Sequence, residues 1–364
     1  MNILHVTPFY EPAWAYGGMA RCSAGLCRAL AGRGHAVTVA TALLDPTHAL
    51  EERLDGVRVR RFPGPGFLAR RLLPWASGLR GFLRAELGAI DVAHLHGHRN
   101  GLAATAARAL AAAGLPWVLL ANGTYPHHRQ RRLAKLVFDR LWGDRIVSGA
   151  QALIAVSGAE ARELPRPARV VPNGVEAGAV APGTARERGR LLFVGTDRPQ
   201  KRGDRLPGLL AAVPEARLTL VGRFASSFRA RYRELGERVT FAGVLPASEM
   251  GAAYARAELL VQPAVGEAFG LAAFEAALVG TPGVVAGGHG CGEWFGRAGG
   301  CVVPPDDASA LAAAVRQRLA DPALAASEAC QVAGFARREL TWRRAAEGVE
   351  AVYREALAEG RAAR

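Results

Sequence analysis

Residues 259–286 hold the stretch on which the fold turns. Leu259-Leu260-Val261-Gln262 is a short apolar run of strand type. Glu267-Ala268-Phe269-Gly270-Leu271-Ala272-Ala273-Phe274-Glu275 then passes through a glycine into an alanine-rich helical segment. Gly280-Thr281-Pro282-Gly283 turns the chain into a second apolar run that ends at Ala286. Strand, helix and strand in so short a span predict two parallel neighbours with a helix laid over one face. The alternation extends outward from there. Strand candidates precede it at Leu191–Gly195, Leu218–Val221 and Val239–Phe241. An earlier series lies at Ile3–Thr7, Val37–Thr41, Val57–Phe62, Val92–Leu95, Trp117–Ala121 and Ala152–Val156, with amphipathic segments such as Ala20–Arg33 and Gly101–Ala113 between. The expected class is α/β, with doubly wound parallel sheets covered by helices on both faces.

One interruption divides the series. Gly174 to Gly189 is rich in Gly, Ala and Pro and runs into Arg186-Glu187-Arg188-Gly189-Arg190 before the next strand. It reads as a linker between a domain at 1–180 and another at 189–340. From Thr341 to Arg364 the pattern is a long amphipathic helix, with Trp342, Ala346, Val349, Val352, Tyr353 and Leu357 on one side. Open α/β sheets bind ligands beyond the carboxyl ends of their strands. Two such domains facing each other place the expected site in the cleft between them.

Composition narrows the class. Half of the 364 residues are apolar and 21% are charged, enough to build a core and too apolar for disorder. The formal charge is +14, and of 46 basic residues all but Lys135 and Lys201 are arginine. Such a sum invites a nucleic-acid reading, but aromatics are only 7% and do not interleave with the arginines as a stacking platform needs, so no nucleic-acid partner is expected. The excess is lopsided: residues 1–185 carry 22 basic and 12 acidic side chains, residues 186–364 carry 24 and 20. Arg70-Arg71 and Arg129-x-Arg131-Arg132-x-x-Lys135 contribute to it, the latter with Leu133, Leu136, Val137 and Phe138 at helical spacing. That pattern fits an anionic membrane surface or a polyanionic acceptor, and equally a solvated helix face. No uncharged apolar run reaches the length of a membrane span, and the N-terminus reads as a strand rather than a signal peptide. Five cysteines without a CxxC pair point to reduced thiols and a cytoplasmic protein, peripheral to the membrane at most.

The residues that follow the strands carry the chemistry. Gly17 and Gly18 lead into a helix, where bare peptide N–H groups can approach a phosphate or sugar; an ordinary tight turn looks the same. His94 and His96 alternate onto one face of their strand, and His98 follows; His94 reads as structural and His96 as a group near a bound sugar. No carboxylate completes a metal-ligand spacing with them, so no metal is expected. Asn122 ends the next strand, where its amide can bond a sugar hydroxyl or form a turn. Arg198, Lys201 and Arg202 lie between a strand and a helix, a place for a diphosphate clamp or for a solvated basic loop. Phe269, Gly270 and Leu271 open a helix whose free N–H groups can bind phosphate or sugar oxygens. Glu275, five positions after Gly270, can accept from ribose hydroxyls, and Glu267 can reach sugar hydroxyls.

Taken together, these landmarks resemble the retaining glycosyltransferases of family 4, which have the two-domain GT-B fold. The resemblance rests on Glu267-x-Phe269-Gly270-Leu271-x-x-x-Glu275, with two glutamates separated by seven residues. It is supported in order by Asp91-Val92-x-His94-x-His96-Gly97, Ala155-Val156-Ser157, Val171-Pro172-Asn173-Gly174-Val175, Phe241-x-Gly243-Val244-Leu245, Gly280-Thr281-Pro282, Gly290-x-x-Glu293, Val302-Val303-Pro304-Pro305-Asp306-Asp307 and the Thr341-Trp342…Tyr353 tail. It implies a nucleotide diphosphate sugar as co-substrate, no other cofactor, and a glycan, lipid-linked or small-molecule acceptor. The product would belong to glycan, glycolipid or cell-surface polysaccharide synthesis.

The resemblance also distributes roles. Gly17 and Gly18 would lie near the donor phosphates and the acceptor. Lys201, with Arg198 as companion, would neutralise the leaving diphosphate. Val244 and Leu245 would flank the base, Glu267 and the amides of Phe269–Leu271 would hold the sugar and phosphate, and Glu275 the ribose. The C-terminal helix would cross back to complete the first domain. Two positions depart from the pattern: Thr196 stands where many members have arginine, and Asn122 where many have histidine. Asparagine cannot take up a proton near neutral pH, so a simple base at that position is not available. A nucleotide-sugar epimerase or phosphorylase of the same fold, or a catalytically impaired nucleotide-sugar binder, are the rival readings.

Overall fold

The computed structural model describes residues 1–13, 17–64, 76–125, 132–181 and 183–362. The first unit is built outward from β1 (Asn2–Thr7), whose β-branched and leucine side chains are buried on both faces, as expected of a strand inside a parallel sheet. β1 pairs in parallel with β2 (Ala36–Leu43) on one side and β5 (Val92–His96) on the other. With β3 (Glu51–Leu54), β4 (Val57–Pro63), β6 (Trp117–Leu120), β7 (Ala152–Ala155) and β8 (Ala168–Val170), the sheet runs β3-β4-β2-β1-β5-β6-β7-β8. Only β3 is antiparallel, joined to β4 by a turn at Asp55-Gly56 in which both residues have positive φ. The sequence did not point to β3 because it is four residues of Glu-Glu-Arg-Leu. Its charges pair across the hairpin, Glu51 with Arg58 and Arg60, and Glu52 with the buried Arg61.

A second, six-stranded parallel sheet follows the same plan in the order β11-β10-β9-β12-β13-β14. Its strands are β9 (Arg190–Val194), β10 (Arg217–Val221), β11 (Val239–Gly243), β12 (Leu259–Gln262), β13 (Gly283–Ala286) and β14 (Cys301–Val303). Leu191, Phe193, Leu218, Leu220, Leu259, Val261 and Val284 form its core with Leu206, Leu210 and Val315 from the covering helices. Both sheets reverse their strand order once, between β1 and β5 in the first and between β9 and β12 in the second. Those reversals open a crevice at the carboxyl ends of the strands, which fixes where each unit presents a ligand site.

The described chain divides into a unit of residues 1–174 with 342–364 and a unit of residues 175–341. The C-terminal helix Trp342–Ala362 therefore returns to the first unit. Its Trp342 ring lies so close to Gly25 and Gly174 that a Cβ on either would collide with it, and Glu350 takes two bonds from Arg33, at 2.9 and 2.7 Å. The stretch 174–189, read from the sequence as the linker between the domains, packs for most of its length on the second unit. Gly178 approaches the backbone of Ala247 and Gly251, Glu187 N–H donates to Arg256 O at 2.8 Å, and Arg186 reaches Gly280 O at 2.6 Å. Its small residues serve close backbone contact rather than freedom.

Candidate functional site

In the second unit the strand reversal brings the loops after β9 and β12 side by side. Val265 N–H donates to Gln200 O at 2.9 Å, which holds the two loops together. The first loop ends in a tight turn, Pro199–Lys201, and the Lys201 ammonium pairs with the Glu267 carboxylate from the second. Both side chains remain partly exposed, at 23% and 19%, so the pair is open to a ligand. Gln262, the buried last residue of β12, points its amide Nε2 at the same carboxylate at 3.5 Å and leaves its Oε1 without a partner.

Gly270 caps the helix Leu271–Leu278 with φ +84°, and a Cβ there would collide with the Cys291 thiol. Glycine is required twice over, by the left-handed backbone and by that contact. Burial pushes the Cys291 thiol up, the Glu267 carboxylate adds to the shift and Lys201 opposes it, so the thiol stays neutral. Glu275 is buried, and the Tyr254 hydroxyl donates to its Oε2 at 2.6 Å. Phe269 is buried against Phe274, so from this segment it is the backbone that faces a ligand. Arg198 is exposed at the rim, whereas Arg202 is engaged by Asp306 and Asp204. Thr196 buries its hydroxyl oxygen without a partner, Val244 is exposed and Leu245 half-buried.

The first unit gathers its own set at the carboxyl ends of β1, β5 and β6. Gly17 caps the helix Gly18–Gly32 with φ +96°, and both glycines are exposed. At Gly97, φ +65°, an added Cβ would press on Thr124 and touch Met19, so the exits of β5 and β6 and the start of this helix meet there. Asn122 has φ +52° and a buried Nδ2 without a partner. The turn that carries it is held by the buried Glu160 carboxylate, which accepts from Gly123 N–H and from Val156 N–H. Beside it, Arg99 grips Asp139 and the carbonyls of Thr124 and Tyr125. Burial alone would raise the Asp139 carboxyl, but bonds from His98 and Arg99 hold it well below the usual carboxylate range.

His94 and His96 do share one face, with His5 of β1 beside them, and all three are fully buried. His5 Nδ1 lies 2.9 Å from His96 Nε2, the Tyr353 hydroxyl lies 2.6 Å from His94 Nδ1, and His5 Nε2 is 3.3 Å from that hydroxyl. Their nitrogens lie within 4.8 Å of one another, which raises the question of a metal. The His94 and His96 rings stack at 4.5 Å and 14°, so their in-plane lone pairs run side by side rather than converging on a point. The arrangement fits a hydrogen-bonded chain from His96 through His5 and Tyr353 to His94. Burial pushes His96 down to about 3, and burial with His96 as neighbour holds His5 and His94 well below the ordinary imidazole value.

Several of these residues gave no signal in the sequence reading. Tyr254 lies on the helix Ala247–Arg256, Gln262 ends β12, His289 lies in the loop after β13, and Glu160 orders the turn at Asn122. The spacing Ser157-x-x-Glu160 was the one available sign: the Ser157 hydroxyl caps the helix Gly158–Glu163 by accepting from Glu160 N–H, as in half of a capping box, while the Glu160 carboxylate reaches the N–H of Val156.

Two parallel α/β units, each with a loop cluster at its strand reversal and one with a lysine and a glycine-capped helix fit for an anion, define the GT-B class of sugar-transferring enzymes. Comparison with known proteins agrees. The model of Glycosyltransferase Family 4 matches residues 16–178, and that of Glycosyl transferases group 1 matches residues 188–321. The chain is 31% identical to a D-inositol 3-phosphate glycosyltransferase of Acidothermus cellulolyticus, over all of this chain and 91% of that one. In structure it resembles a sucrose-phosphate synthase from Thermosynechococcus elongatus, with TM-score 0.78, 23% identity and coverage of 98% and 99%. It also resembles HepE of Anabaena in complex with UDP-glucose, with TM-score 0.75, 19% identity and coverage of 97% and 99%. The chain belongs to glycosyltransferase family 4 and is a glycosyltransferase with the GT-B fold. Among the described residues no helix is long and apolar enough to cross a membrane.

Proposed function

We infer that the enzyme moves a sugar from a nucleoside diphosphate sugar to an acceptor hydroxyl with retention of anomeric configuration. The observation that carries this reading is the meeting of Lys201, Glu267 and the Gly270-capped helix at the strand reversal of the second unit. Lys201 and the free N–H groups of Phe269–Leu271 favour negative charge, and Glu267 and Glu275 accept from hydroxyls. One end of the site thus suits a diphosphate and the other a sugar and a ribose. Arg198 is the arginine at the rim with no described acidic partner, which makes it the companion of Lys201 in preference to Arg202. Val244 and Leu245 flank the base.

In the proposed step the bond from the anomeric carbon to the diphosphate oxygen breaks, and its electron pair leaves with the oxygen. The acceptor oxygen bonds to the same face of that carbon, and its proton passes to the departing phosphate. Asn122 cannot take that proton, and His96 is buried and pushed down to about 3. Both are left to position the acceptor side with Gly17 and Gly18. Positive charge at the donor comes from Lys201, Arg198 and peptide dipoles, so turnover should be unchanged by EDTA.

HepE was solved with UDP-glucose, which makes that donor the first to try. Thermal-shift screening of nucleotide sugars, then NMR of the anomeric centre of any product, tests the reading. Intact turnover in both Lys201→Ala and Glu275→Ala would remove the assigned site. Product formed without an acceptor would favour an epimerase, and binding without turnover an impaired binder.

A membrane-facing role adds to this reading. The segment of helices Arg132–Phe138 and Asp144–Gly149, with a π-type turn at Asp139–Gly143 between them, exposes Leu133, Leu136, Val137, Leu141 and Trp142 beside Arg140 and Arg145. Phe138, grouped with them by spacing, is buried instead. Arg70, Arg71, Arg129 and Arg131 lie outside the described residues. Apolar side chains flanked by arginine suit the surface of an anionic bilayer. Co-sedimentation with phosphatidylglycerol vesicles should exceed that with phosphatidylcholine and fall in Leu136→Asp/Val137→Asp. Equal binding to both vesicles would exclude it.

A further inference from the structure

The loop after β13 carries a buried histidine, His289, outside the set of residues assigned to the donor. Its Nε2 lies 2.7 Å from the Ala264 carbonyl oxygen, which can only accept, so Nε2 carries the proton. Nδ1 is then the bare nitrogen, and it accepts from Gly292 N–H at 3.5 Å, capping the helix Gly290–Arg297. These two contacts orient the ring between the loop and the helix. Ala264 lies in the loop between β12 and the helix Leu271–Leu278, three residues before Glu267. Backbone bonds hold the same loop at two other points, from Cys291 N–H to Glu267 O at 3.1 Å and from Val265 N–H to Gln200 O at 2.9 Å. Of these ties the one through His289 is made by a side chain, so substitution can remove it and leave the backbone bonds in place.

We propose that His289 is a positioning residue for the donor sugar: by holding Ala264 it fixes the loop from which Glu267 reaches that sugar. The proposal rests on the donor reading of Glu267. It separates two parts of the ligand, because the diphosphate is held by Lys201 and the Gly270 helix terminus, and the sugar by Glu267. Loss of the tie should weaken a nucleotide sugar and spare the bare nucleoside diphosphate.

Asparagine and glutamine divide the functions of the ring. His289→Asn would place an oxygen near the position of Nδ1 and keep the helix cap, at which asparagine excels. His289→Gln would place an amide nitrogen near the position of Nε2 and keep the bond to Ala264. If His289 served only helix stability, His289→Asn would be harmless and His289→Gln would not. The proposal requires the reverse order. The experiment measures binding of UDP, UDP-glucose, GDP and GDP-mannose to the full chain by calorimetry, with the melting temperature of each variant alongside. For the nucleotide sugar that the wild type binds, His289→Asn should weaken affinity about tenfold, a lost positioning bond. Its affinity for the matching nucleoside diphosphate should be unchanged, and His289→Gln should bind both as the wild type does. Wild-type nucleotide-sugar affinity in His289→Asn overturns the proposal, as does equal weakening of both ligands in His289→Asn and His289→Ala. A wild type that binds none of the four overturns the donor reading itself, and the proposal with it.

Discussion

Lys201 and Glu267 pair with each other, and on the proposed donor reading a diphosphate would draw the ammonium away from the carboxylate. Because both groups are partly exposed, their pairing contributes little to stability, and its loss should appear in catalysis. Lys201→Ala should lower kcat by about 10²–10³, the scale of removing one charge-stabilising donor, with little change in melting temperature. Steady-state kinetics on the identified donor checks this, and a fall in melting temperature without a fall in kcat would contradict it. Lys201→Arg should recover only part of the loss, since a planar guanidinium does not replace a compact ammonium. At this scale the sequence was legible wherever a residue was unusual in its own surroundings. One of two lysines among 46 basic residues stands out. Tyr254 and His289 do not, because their partners lie 21 and 25 positions away and meet them only after the sheet has formed.

Turns and helix ends were readable where glycine punctuated them, and opaque where charge disguised an element. Gly270 and Gly280 announced the helix between β12 and β13, whereas β3 hid behind Glu51, Glu52 and Arg53. β8 and β14 are three residues each, too short for a period to declare itself. Some glycines were visible without their reason. Gly222, at φ +137°, passes so near the Gly195 carbonyl that a Cβ would overlap it, a contact between the exits of β9 and β10. At Gly270 both reasons coincide, so Gly270→Ala should cost about 1–3 kcal/mol for the strained backbone alone. Urea titration measures that cost. Gly270→Ala in a Cys291→Gly background should cost less than in the wild type, because the collision with both the thiol and the Cβ of Cys291 is then gone. Equal costs in the two backgrounds would mean the contact does not govern the position.

Over the whole molecule, the chain begins in the first unit and returns to it, and the buried imidazoles lie where the returning helix docks. The long amphipathic tail was legible from its spacing, but its partners were not. Only the folded chain brings Tyr353 to His5 and His94, separated from it by 348 and 259 positions. That placement should give the two units different responses to acid. His5, His94 and His96 are neutral in the fold because burial lowers each of them, His96 to about 3. Above pH 6.5 neither folded nor unfolded chain protonates them, and their effect on stability is constant. Below that pH the unfolded chain takes up protons that the fold refuses, so stability falls with pH. Each histidine then costs about 1.4 kcal/mol per pH unit, and the three together about 4 kcal/mol between pH 7.5 and 5.5. Burial raises the Glu11 and Glu160 carboxyls, which opposes this trend, but only where carboxylates begin to titrate. A loss of that size is a large part of a typical domain's margin, so the first unit should melt ahead of the second as pH falls through 6. Calorimetric scans from pH 7.5 to 5 should resolve one transition into two, and hydrogen exchange should place the earlier one at β1, β5 and the C-terminal helix. Tyr353→Phe removes the hydroxyl between His5 and His94, so the earlier transition should already be lower at pH 7.5, by about 1–3 kcal/mol. Scans that keep a single transition of constant stability down to pH 5 would mean that the buried imidazoles do not govern the fold's response to acid.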